Sequence, residues 1–360
     1  MPQIPLFNTS AQYAPLLPEL KRRLEEVLES GQFVLGPNVA AFEEEAAAYL
    51  GVPAAVGVGN GTDALVLVFN ALELGRDDEV ICPAFTFFAT AEAIARAGAT
   101  PVFADIDPAT FNLDAADVAE RITPRTKAIV PVHLFGRPAP LGRLAQFGLP
   151  LVEDAAQAFG AAGVATTGVA STFSFYPSKN LFGIGDGGLV AVTDQELGER
   201  IRMLRFHGSK AKKIFEFVGT NSRLDEIQAA ALRLFLEQLD SWNADRREAA
   251  ARYRGLGIGD LCEAPDDDPA HVYHLFVCRS AERDRIQGAL TEAGIGNAHY
   301  YLPPLHLQPA LAYLGYREGD LPETERAARE NFSIPIWPGI TEEQQERVVE
   351  TVKSAATVRV

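Results

Sequence analysis

The stretch "FSFYPSKNLFGIGDGG", from Phe173 to Gly188, places Lys179 between an apolar, strand-like segment and a cluster of glycines. A glycine-rich turn lets the backbone come close to a bound group. A lysine beside such a turn can hold a phosphate, act as a covalent amine or simply lie in solvent. Only 12 residues separate Tyr176 from Leu189, the start of the next apolar segment. That length is marginal for a crossover helix, so we expect a mixed sheet at this point.

Short apolar segments rich in β-branched or aromatic residues recur through the first half of the chain. Most are separated by stretches that favour helix, such as "TDALVLVFNALEL" and "TFFATAEAIARAG". This alternation predicts an α/β fold with a mostly parallel, mixed, seven-stranded sheet. The seven predicted strands are "AAVGV" at 54, "EVICP" at 79, "PVFADI" at 101, "KAIVPVHL" at 127, "PLVED" at 150, "STFSFY" at 171 and "LVAVT" at 189.

A long periodic segment, "SRLDEIQAAALRLFLEQLDSWNADRREAAARYRGLG", follows the last of these strands. Its apolar residues recur at helical spacing, which predicts one long amphipathic helix leaving a large domain. Beyond it, "HVYHLFVCR" begins a smaller α/β unit with strand and helix signals of its own. We therefore expect a large domain over residues 1–245 and a small C-terminal domain over 246–360. The predicted apolar face contains Leu224, Ile227, Ala231, Leu234, Leu239 and Trp242.

The composition restricts the classes of ligand and compartment. The 360 residues are 47% hydrophobic, as in globular proteins, and carry a formal charge of -16. A field of that sign repels nucleic acid and anionic membranes, so any anionic ligand has to be captured locally. The start of the chain lacks a signal-peptide pattern, and no apolar run reaches the length of a membrane span. We expect a soluble, cytoplasmic protein.

No metal site is expected. The three cysteines, Cys82, Cys262 and Cys278, are far apart and have neither zinc-ligand spacing nor a disulfide framework. His271 and His274 in "HVYHLFVC" stand at i and i+3, which places them on opposite faces of a strand. Both observations fit a reducing compartment and a metal-free site.

Ligands of a parallel α/β sheet bind at the carboxyl ends of its strands, so the residues that follow each strand are the candidates. After the first strand, "GNGTDAL" provides a tight turn, and Thr62 and Asp63 open a helix whose free amides can bind an anion. Either residue can instead be a plain helix cap. After the second strand, "PAFTFFAT" offers Phe87 and Phe88, for which core packing is the alternative.

Two further strands end on polar side chains. Asp154 ends the fifth strand and Gln157 follows it, in "EDAAQAFG". A carboxylate in that position is poorly solvated and favours a cationic partner, although a helix N-cap is an equal alternative. Ser174 and Lys179 follow the sixth strand, where a lysine can also be merely solvated.

Together, the residues that follow these strands supply an anion-binding turn, a flat aromatic side chain, a buried carboxylate and an amine at one edge of the sheet. Pyridoxal phosphate requires that set: a phosphate seat, a stacking partner, a carboxylate for the pyridinium nitrogen and a lysine for covalent attachment. Lys179 would then be the covalent anchor. Once freed by the substrate amine, it would be the base that moves a proton between substrate and cofactor.

The motifs also resemble those of a known family, the DegT/DnrJ/EryC1/StrS aminotransferases of fold type I. The resemblance runs from the first helices to about residue 310. It implies a three-layer α/β sandwich and a homodimer that moves an amino group from L-glutamate, leaving 2-oxoglutarate, to C3 or C4 of a nucleotide-linked keto sugar. The motifs are "GNGTDAL", "PAFTFFATAEAI", "VEDAAQAFGA", "FSFYPSKNLFGIGDGG", "GTNSRLDEIQAA" and "PLHLQPA".

The resemblance implies specific roles on the cofactor side. The phosphate would lie at Gly61, at the backbone of Thr62 and Asp63 and at the hydroxyl of Ser174. Three side chains would contact the ring: Phe87 against its face, Asp154 at its nitrogen and Gln157 at its hydroxyl.

On the substrate side, the resemblance implies that "GTNSR" reaches into the partner subunit's site. Asn221 would approach the phosphate there, and Arg223 the donor carboxylate or the sugar phosphates. His306 would line the sugar pocket. One departure is Phe159, where many members of the family have histidine, and we expect this change to alter the pocket wall.

Three alternatives remain. A sugar dehydratase of the same fold resembles this family but carries histidine at the anchoring position, which Lys179 disfavours. A cofactor-binding regulator without turnover would not require Arg223 and His306. A desulfurase would require a catalytic cysteine loop, which is missing from the sequence.

For His133 a packed role is at least as good as a functional one, and "KAKK" at 210–213 is expected to be a solvated loop that can attract a diphosphate.

Overall fold

The structure is a computed structural model that describes residues 3–356. Nine strands are present among these residues, and the seven segments predicted from sequence all contain one. The strands are β1 Ala54–Val58, β2 Glu79–Pro83, β3 Thr100–Ala104, β4 Thr126–Ile129, β5 Val152–Asp154, β6 Ala170–Ser174, β7 Gly188–Val192, β8 Phe276–Arg279 and β9 Asn331–Ile334.

Thirteen α-helices accompany the strands in the described part of the chain, and several begin or end at recognisable caps. Asn60, for example, accepts a hydrogen bond from the amide of Asp63 at 2.8 Å, and Gly31 and Gly51 end two helices in the left-handed conformation. The helices are α1 Thr9–Tyr13, α2 Leu17–Ser30, α3 Pro37–Leu50, α4 Gly61–Ala71, α5 Ala89–Arg96, α6 Ala115–Arg121, α7 Leu141–Leu144, α8 Gln195–Leu204, α9 Glu226–Leu236, α10 Leu239–Gly255, α11 Arg283–Glu292, α12 Pro322–Glu330 and α13 Glu342–Ala356.

The first seven strands form two sheets that adjoin edge to edge. One has the order β1-β7-β6-β5 and the other β3-β2-β4. Parallel bridges from Ile129 to Leu151 and from Val132 to Asp154 join them, so the expected count of seven is met only across this junction. Strand β7 is antiparallel to both β1 and β6, which confirms the mixed sheet predicted from the short Gly-rich connection.

Helices cover both faces of this sheet, as the α/β prediction requires. Ala54 and Val56 of β1 pack with α4 and α8 on one face, while Ala55 between them packs with α3 and α9 on the other. Side chains of a strand alternate between faces, so the nearly continuous apolar sequence of β1 follows from burial on both sides. The architecture is a three-layer sandwich.

The long predicted helix is in fact two helices. Helix α9 ends at Leu236 and α10 begins at Leu239, with a turn between them and neither proline nor glycine to announce it. Of the predicted apolar face, Ile227 is only partly buried and the other five residues are buried.

A second, smaller sheet pairs β8 with β9 in antiparallel orientation. Helices α11 and α13 pack beside it, and Tyr253 of α10 lies in the same core. Because α10 also contributes Leu239 and Trp242 to the core of the large sheet, it runs across the expected boundary at residue 245. That boundary stays a prediction. No described helix combines the length and the apolar character needed to span a membrane.

Candidate active site

The polar residues predicted from the strand ends meet at one edge of the large sheet. Asp154 and Ser174 are the last residues of β5 and β6. Gly61 opens α4 directly after β1, and Phe87 lies in the loop after β2 with 61% of its surface exposed. Lys179 lies in the loop that leaves β6.

Asp154 is a buried carboxylate with an incomplete set of donors. The hydroxyl of Thr90 donates to its Oδ2 at 2.8 Å, and the amide of Ala156 donates to its Oδ1 at 3.3 Å. Burial raises the pKa of Asp154, although these two bonds and the charges of Lys179 and His133 oppose the rise. No helix follows β5 directly, so Asp154 is not a helix N-cap.

Lys179 is partly buried, and its charge and that of Asp154 act on each other. Burial lowers the pKa of Lys179 to about 8, against the opposing attraction of Asp154. An amine with such a pKa has a larger unprotonated fraction near neutral pH than an ordinary lysine, which makes it more available as a nucleophile and a base. The partial burial of Lys179 disfavours the alternative of a merely solvated lysine.

The loop that carries Lys179 is fixed at several points. The side-chain amide of Asn180 donates to Oδ1 of Asn243 at 2.8 Å and to the carbonyl of Val272 at 2.9 Å. At the other end, a Cβ on Gly188 would lie 2.4 Å from the carbonyl oxygen of Asn60, so only glycine fits there. The glycine cluster thus serves close packing beside the β1–α4 turn.

The expected phosphate-binding site lies at the start of α4. A Cβ on Gly61 would approach Cβ of Ser174 to 2.8 Å, so the missing side chain lets the helix start lie directly beside that serine. Asn60 is the cap, which corrects the alternative that Thr62 or Asp63 fills this role. It engages the amide of Asp63, so the amides of Gly61 and Thr62 are the ones left open at the helix start.

Gln157 is held in place by hydrogen bonds with two neighbours. Its Oε1 accepts from the amide of Phe135 at 2.7 Å, and its Nε2 donates to the hydroxyl of Tyr301 at 3.2 Å. Burial raises the pKa of Tyr301, which keeps that hydroxyl protonated. Sequence reasoning missed Tyr301, which follows no strand of the large sheet.

Next to Asp154 on β5 stands Glu153, a second buried carboxylate. It accepts from Nε2 of His133 at 2.9 Å, from the amide of Ala165 at 2.9 Å and from the amide of Gly168 at 2.7 Å. Burial acts to raise the pKa of Glu153, but the bonds from His133 and the two amides outweigh it and hold the pKa below its usual value. His133 is fully buried in this pair, as its packed alternative predicted.

The segment containing Asn221 and Arg223 lies at the surface. Asn221 is exposed and Arg223 partly exposed, and the Arg223 guanidinium lies over the ring of Phe206 at 6.0 Å. The ammonium of Lys212 approaches the same ring at 4.9 Å. Two cations therefore share one aromatic, and the "KAKK" loop is exposed as expected.

Two expectations about the pocket wall need correction. Phe159 is only 4% exposed and packs against Phe173 at 4.7 Å between ring centres, so it belongs to the core and not to the pocket wall. The His306 side chain has no exposed surface and its Nε2 pairs with Oε1 of Glu325 at 3.1 Å. In this conformation His306 cannot contact a sugar.

Two residues near the site carried no sequence signal. Thr90 is the second residue of the helix after β2, and only the fold brings its hydroxyl to Asp154. His274 is buried close enough to Lys179 for their charges to interact. Burial first, and then the charges of Lys179 and Arg246, lower the pKa of His274 well below its usual value. A neutral imidazole therefore stands near the amine.

Comparisons with known proteins show what this chain is similar to. The model of the DegT/DnrJ/EryC1/StrS aminotransferase family matches residues 17–353. A pleiotropic regulatory protein of Geobacillus stearothermophilus is 48% identical over 97% of this chain and 97% of its own. The dTDP-3-amino-3,4,6-trideoxy-alpha-D-glucose transaminase of Streptomyces venezuelae is 44% identical over 99% of this chain and 97% of its own. The crystal structure of S. venezuelae DesV with a ketimine intermediate has a TM-score of 0.95 and 43% identity, covering 100% of both chains.

Proposed function

The chain belongs to the DegT/DnrJ/EryC1/StrS aminotransferase family, and we propose that it transfers an amino group from L-glutamate to C3 of a keto sugar carried on a nucleoside diphosphate. Its cofactor is pyridoxal 5′-phosphate. The observation that carries the proposal is that Lys179, whose pKa is lowered, and the buried carboxylate of Asp154 lie at one sheet edge, close enough for their charges to interact.

The residues present fit this cofactor. Asp154 has two donors only and a raised pKa, so it has capacity for a further N–H from the ring nitrogen. Because Gly61 has no side chain, the open amides of the helix start lie directly beside Ser174, an arrangement that fits a phosphate. Phe87 offers an exposed aromatic face. Gln157, oriented by Phe135 and Tyr301, would approach the ring hydroxyl.

When bound, the cofactor supplies an electron sink for the substrate carbon. The protein supplies the proton transfers and the orientation. Lys179, with a pKa of about 8, can both accept and return a proton near neutral pH. The buried carboxylate of Asp154 would stabilise a positive charge on the ring nitrogen of the cofactor, because such an interaction is stronger in a buried setting than in water. The bonds of Asn180 fix the loop from which the amine acts.

The choice of C3 is supported by the S. venezuelae relative, whose name specifies a 3-amino sugar. The choice of L-glutamate rests on the family resemblance. The charge of -16 requires cations placed locally for both anionic substrates, and Arg223 and Lys212, which share Phe206, are such cations.

A homodimer with shared sites is the second part of the proposal. Exposed apolar side chains surround the segment that carries Arg223, because Val34 pairs with Asp225 and Phe33 accepts from the amide of Glu226. Exposed apolar side chains mark interfaces where they gather into a patch. The exposed set contains Phe33, Val34, Ile184, Ile214, Phe215 and Val218.

The donor half of the reaction tests the function. The purified holoenzyme is mixed with L-glutamate alone, and we expect stoichiometric release of 2-oxoglutarate. A nucleotide-linked 3-keto sugar should then be aminated, and NMR of the product identifies the carbon. Lys179→Ala is the control that should do neither. Amination of a 4-keto sugar in preference would refute the choice of C3, and glutamine as the exclusive donor would refute glutamate.

Mixed dimers test the shared site. Lys179→Ala and Arg223→Ala should each be nearly inactive as homodimers. If Arg223 acts in the partner's site, a heterodimer of the two variants contains one site with both defects and one with neither, and activity returns when they are refolded together. If both groups act in the same chain, proven heterodimers stay as inactive as their parents.

A second candidate function, regulation without turnover, is favoured by one finding: a relative at 48% identity is named a pleiotropic regulatory protein. A pure regulator would bind the cofactor but release no 2-oxoglutarate from glutamate and no keto acid from glutamine. The same donor experiment therefore separates the two functions.

A further inference from the structure

A cavity of about 380 Å³ lies beside the candidate active site and contains neither Lys179 nor Asp154. It is bounded by the loop after β3, at residues 108–111, and by residues 134–137 after β4. Strand β8 and residues 263–266 close its other side. The volume falls within the range of small-molecule sites in proteins.

Three arginines line this cavity: Arg137, Arg279 and Arg326. The side chain of Arg279 is only 7% exposed, and its guanidinium lies over the ring of Phe111 at 5.5 Å. Within residues 3–356, the Nη1 of Arg279 has no hydrogen-bond partner. A buried guanidinium with unused donors is costly to leave unsatisfied and favours an anionic partner.

The carboxylates that pair with these arginines inside the cavity are largely exposed to solvent. Only Glu263 and Asp266 line the cavity, and their side chains are 64% and 67% exposed. Glu263 pairs with Arg279, and Asp266 pairs with Arg137 at 2.5 Å. Exposed partners of this kind contribute little, so an incoming anion can take their place at low cost.

Two further carboxylates contact the same arginines from outside the cavity. Asp268 lies 3.4 Å from Arg137, and Glu323 lies 2.8 Å from Arg326. They orient the guanidinium groups without occupying the cavity itself. The three arginines therefore outnumber the two carboxylates that face the space, in a chain whose overall charge is strongly negative.

The remaining walls are apolar and partly aromatic. Phe111 and Phe135 meet at 5.5 Å between ring centres, nearly at right angles, and Leu134, Leu275 and Val277 complete the surface. Aromatic faces and aliphatic side chains favour a flat apolar body, and pockets of this composition orient it through a few polar groups.

We propose that this cavity binds a small organic anion, in which a carboxylate or a phosphate is joined to a flat apolar body. The anion lies at Arg279 and Arg137, and the body lies against Phe111 and Phe135. The site is separate from the proposed reaction, because its lining includes none of the residues assigned to cofactor or substrate.

The two sites nevertheless share a wall. The amide of Phe135, which lines the cavity, donates to Oε1 of Gln157 at 2.7 Å. A ligand that packs against Phe135 therefore stands directly behind a residue of the candidate active site. Because binding is measured without turnover, a failure of this proposal is distinct from a failure of the proposed function.

Isothermal titration calorimetry on the holoenzyme tests the proposal with three probes: 1-naphthoate, 1-naphthyl phosphate and the neutral 1-naphthalenemethanol. We expect at least one anion to bind, and the alcohol to bind about tenfold more weakly or worse, as expected when a charged hydrogen bond is lost. The two anions distinguish a carboxylate site from a phosphate site. Equal binding of all three probes, or of none, would overturn the proposal.

Arg279→Met should weaken the anion by about tenfold or more. Arg200→Met is the matched control, because Arg200 also pairs with an exposed carboxylate, Glu73, and lies over an aromatic ring, that of Phe217 at 4.9 Å, outside the cavity. Equal losses in the two variants would contradict the proposal.

If Arg279→Met does not fold, Arg326→Gln serves as the second variant, since its side chain is 42% exposed and its replacement leaves the core intact. We expect a weaker anion affinity there and an unchanged affinity in Lys179→Ala. Loss of binding in Lys179→Ala would place the probe at the cofactor site and refute a separate cavity site.

Discussion

Glu153 and Asp154 are buried neighbours on one strand, and they differ in the number of hydrogen bonds they accept and in the direction of their pKa shifts. Glu153 accepts three hydrogen bonds from His133, Ala165 and Gly168. Asp154 accepts two, from Thr90 and Ala156, and the second is long at 3.3 Å. Successive side chains of a strand point to opposite faces, so one residue step separates two environments.

The electrostatic consequence has opposite signs at the two carboxylates. The donors around Glu153 outweigh its burial and lower its pKa, whereas burial dominates at Asp154 and raises its pKa. A carboxylate that only holds the fold together is saturated with donors from the protein. A carboxylate that has to bind a ligand keeps the capacity to accept a further hydrogen bond. The fold tolerates the free-energy cost of burying it in that state.

The largest expected effect separates the two residues by activity. Asp154→Asn should lose at least a hundredfold in turnover, about 2.7 kcal/mol of barrier, because a neutral amide cannot hold a protonated ring nitrogen. Its thermal unfolding temperature should not fall, since the substitution removes a buried charge while Thr90 can still donate to the amide oxygen. Steady-state kinetics and calorimetry measure the two quantities. Turnover within tenfold of the unmodified enzyme would mean that Asp154 is structural.

The next effect is expected in stability. Glu153→Gln should lower the free energy of unfolding by about 2 kcal/mol, because the amide –NH₂ faces groups that are themselves donors and leaves at least one of them unpaired. Turnover per folded molecule should stay close to that of the unmodified enzyme. Urea denaturation checks the first quantity, and Asp154→Asn one residue away is the matched control. A greater loss of turnover than of stability would make Glu153 part of the catalytic machinery.

The smallest effect is in the pH dependence of stability, of the order of 1 kcal/mol. Glu153 has a lowered folded pKa, so its contribution is present above its usual value of 4.5 and is lost as pH falls through the folded pKa. Asp154 has a raised folded pKa, so its charge costs stability above that pKa, and the cost disappears as pH falls towards 3.8.

Denaturation of the cofactor-free proteins between pH 3.5 and 7 checks these signs. The deficit of Glu153→Gln relative to the unmodified protein should shrink on acidification. Any advantage of Asp154→Asn should grow as pH rises. Variants that move in the same direction would contradict the opposite pKa shifts.

Much of the fold could be predicted because strand signals in this chain are local. The segments at 54, 79 and 189 are short, apolar and bounded by turn residues, and each is a strand. The antiparallel direction of β7 also followed from a local quantity, the length of its connection to β6. Lys179 and Asp154 were predictable because the ends of adjacent strands necessarily meet.

The remainder depended on contacts between distant parts of the chain. Phe159 was expected at the pocket and lies in the core, because Tyr49 of α3 and Phe173 of β6 pack on it. His306 was expected at a sugar and is buried against Glu325 of α12. None of these three partners stands close in sequence, so no local pattern could reveal them. The helix boundary between Leu236 and Leu239 was missed because no proline or glycine marks it.

The pairing of Ser174 with Gly188 bears on the order in which the chain folds and binds its cofactor. The two residues close the lysine-bearing loop as a hairpin, so the conformational entropy of bringing its ends together is spent when β6 and β7 pair. The amine of Lys179 is then confined near the sheet edge before any cofactor arrives. The cofactor therefore binds to a surface that is already ordered. Little of the binding free energy has to be spent on ordering the chain further.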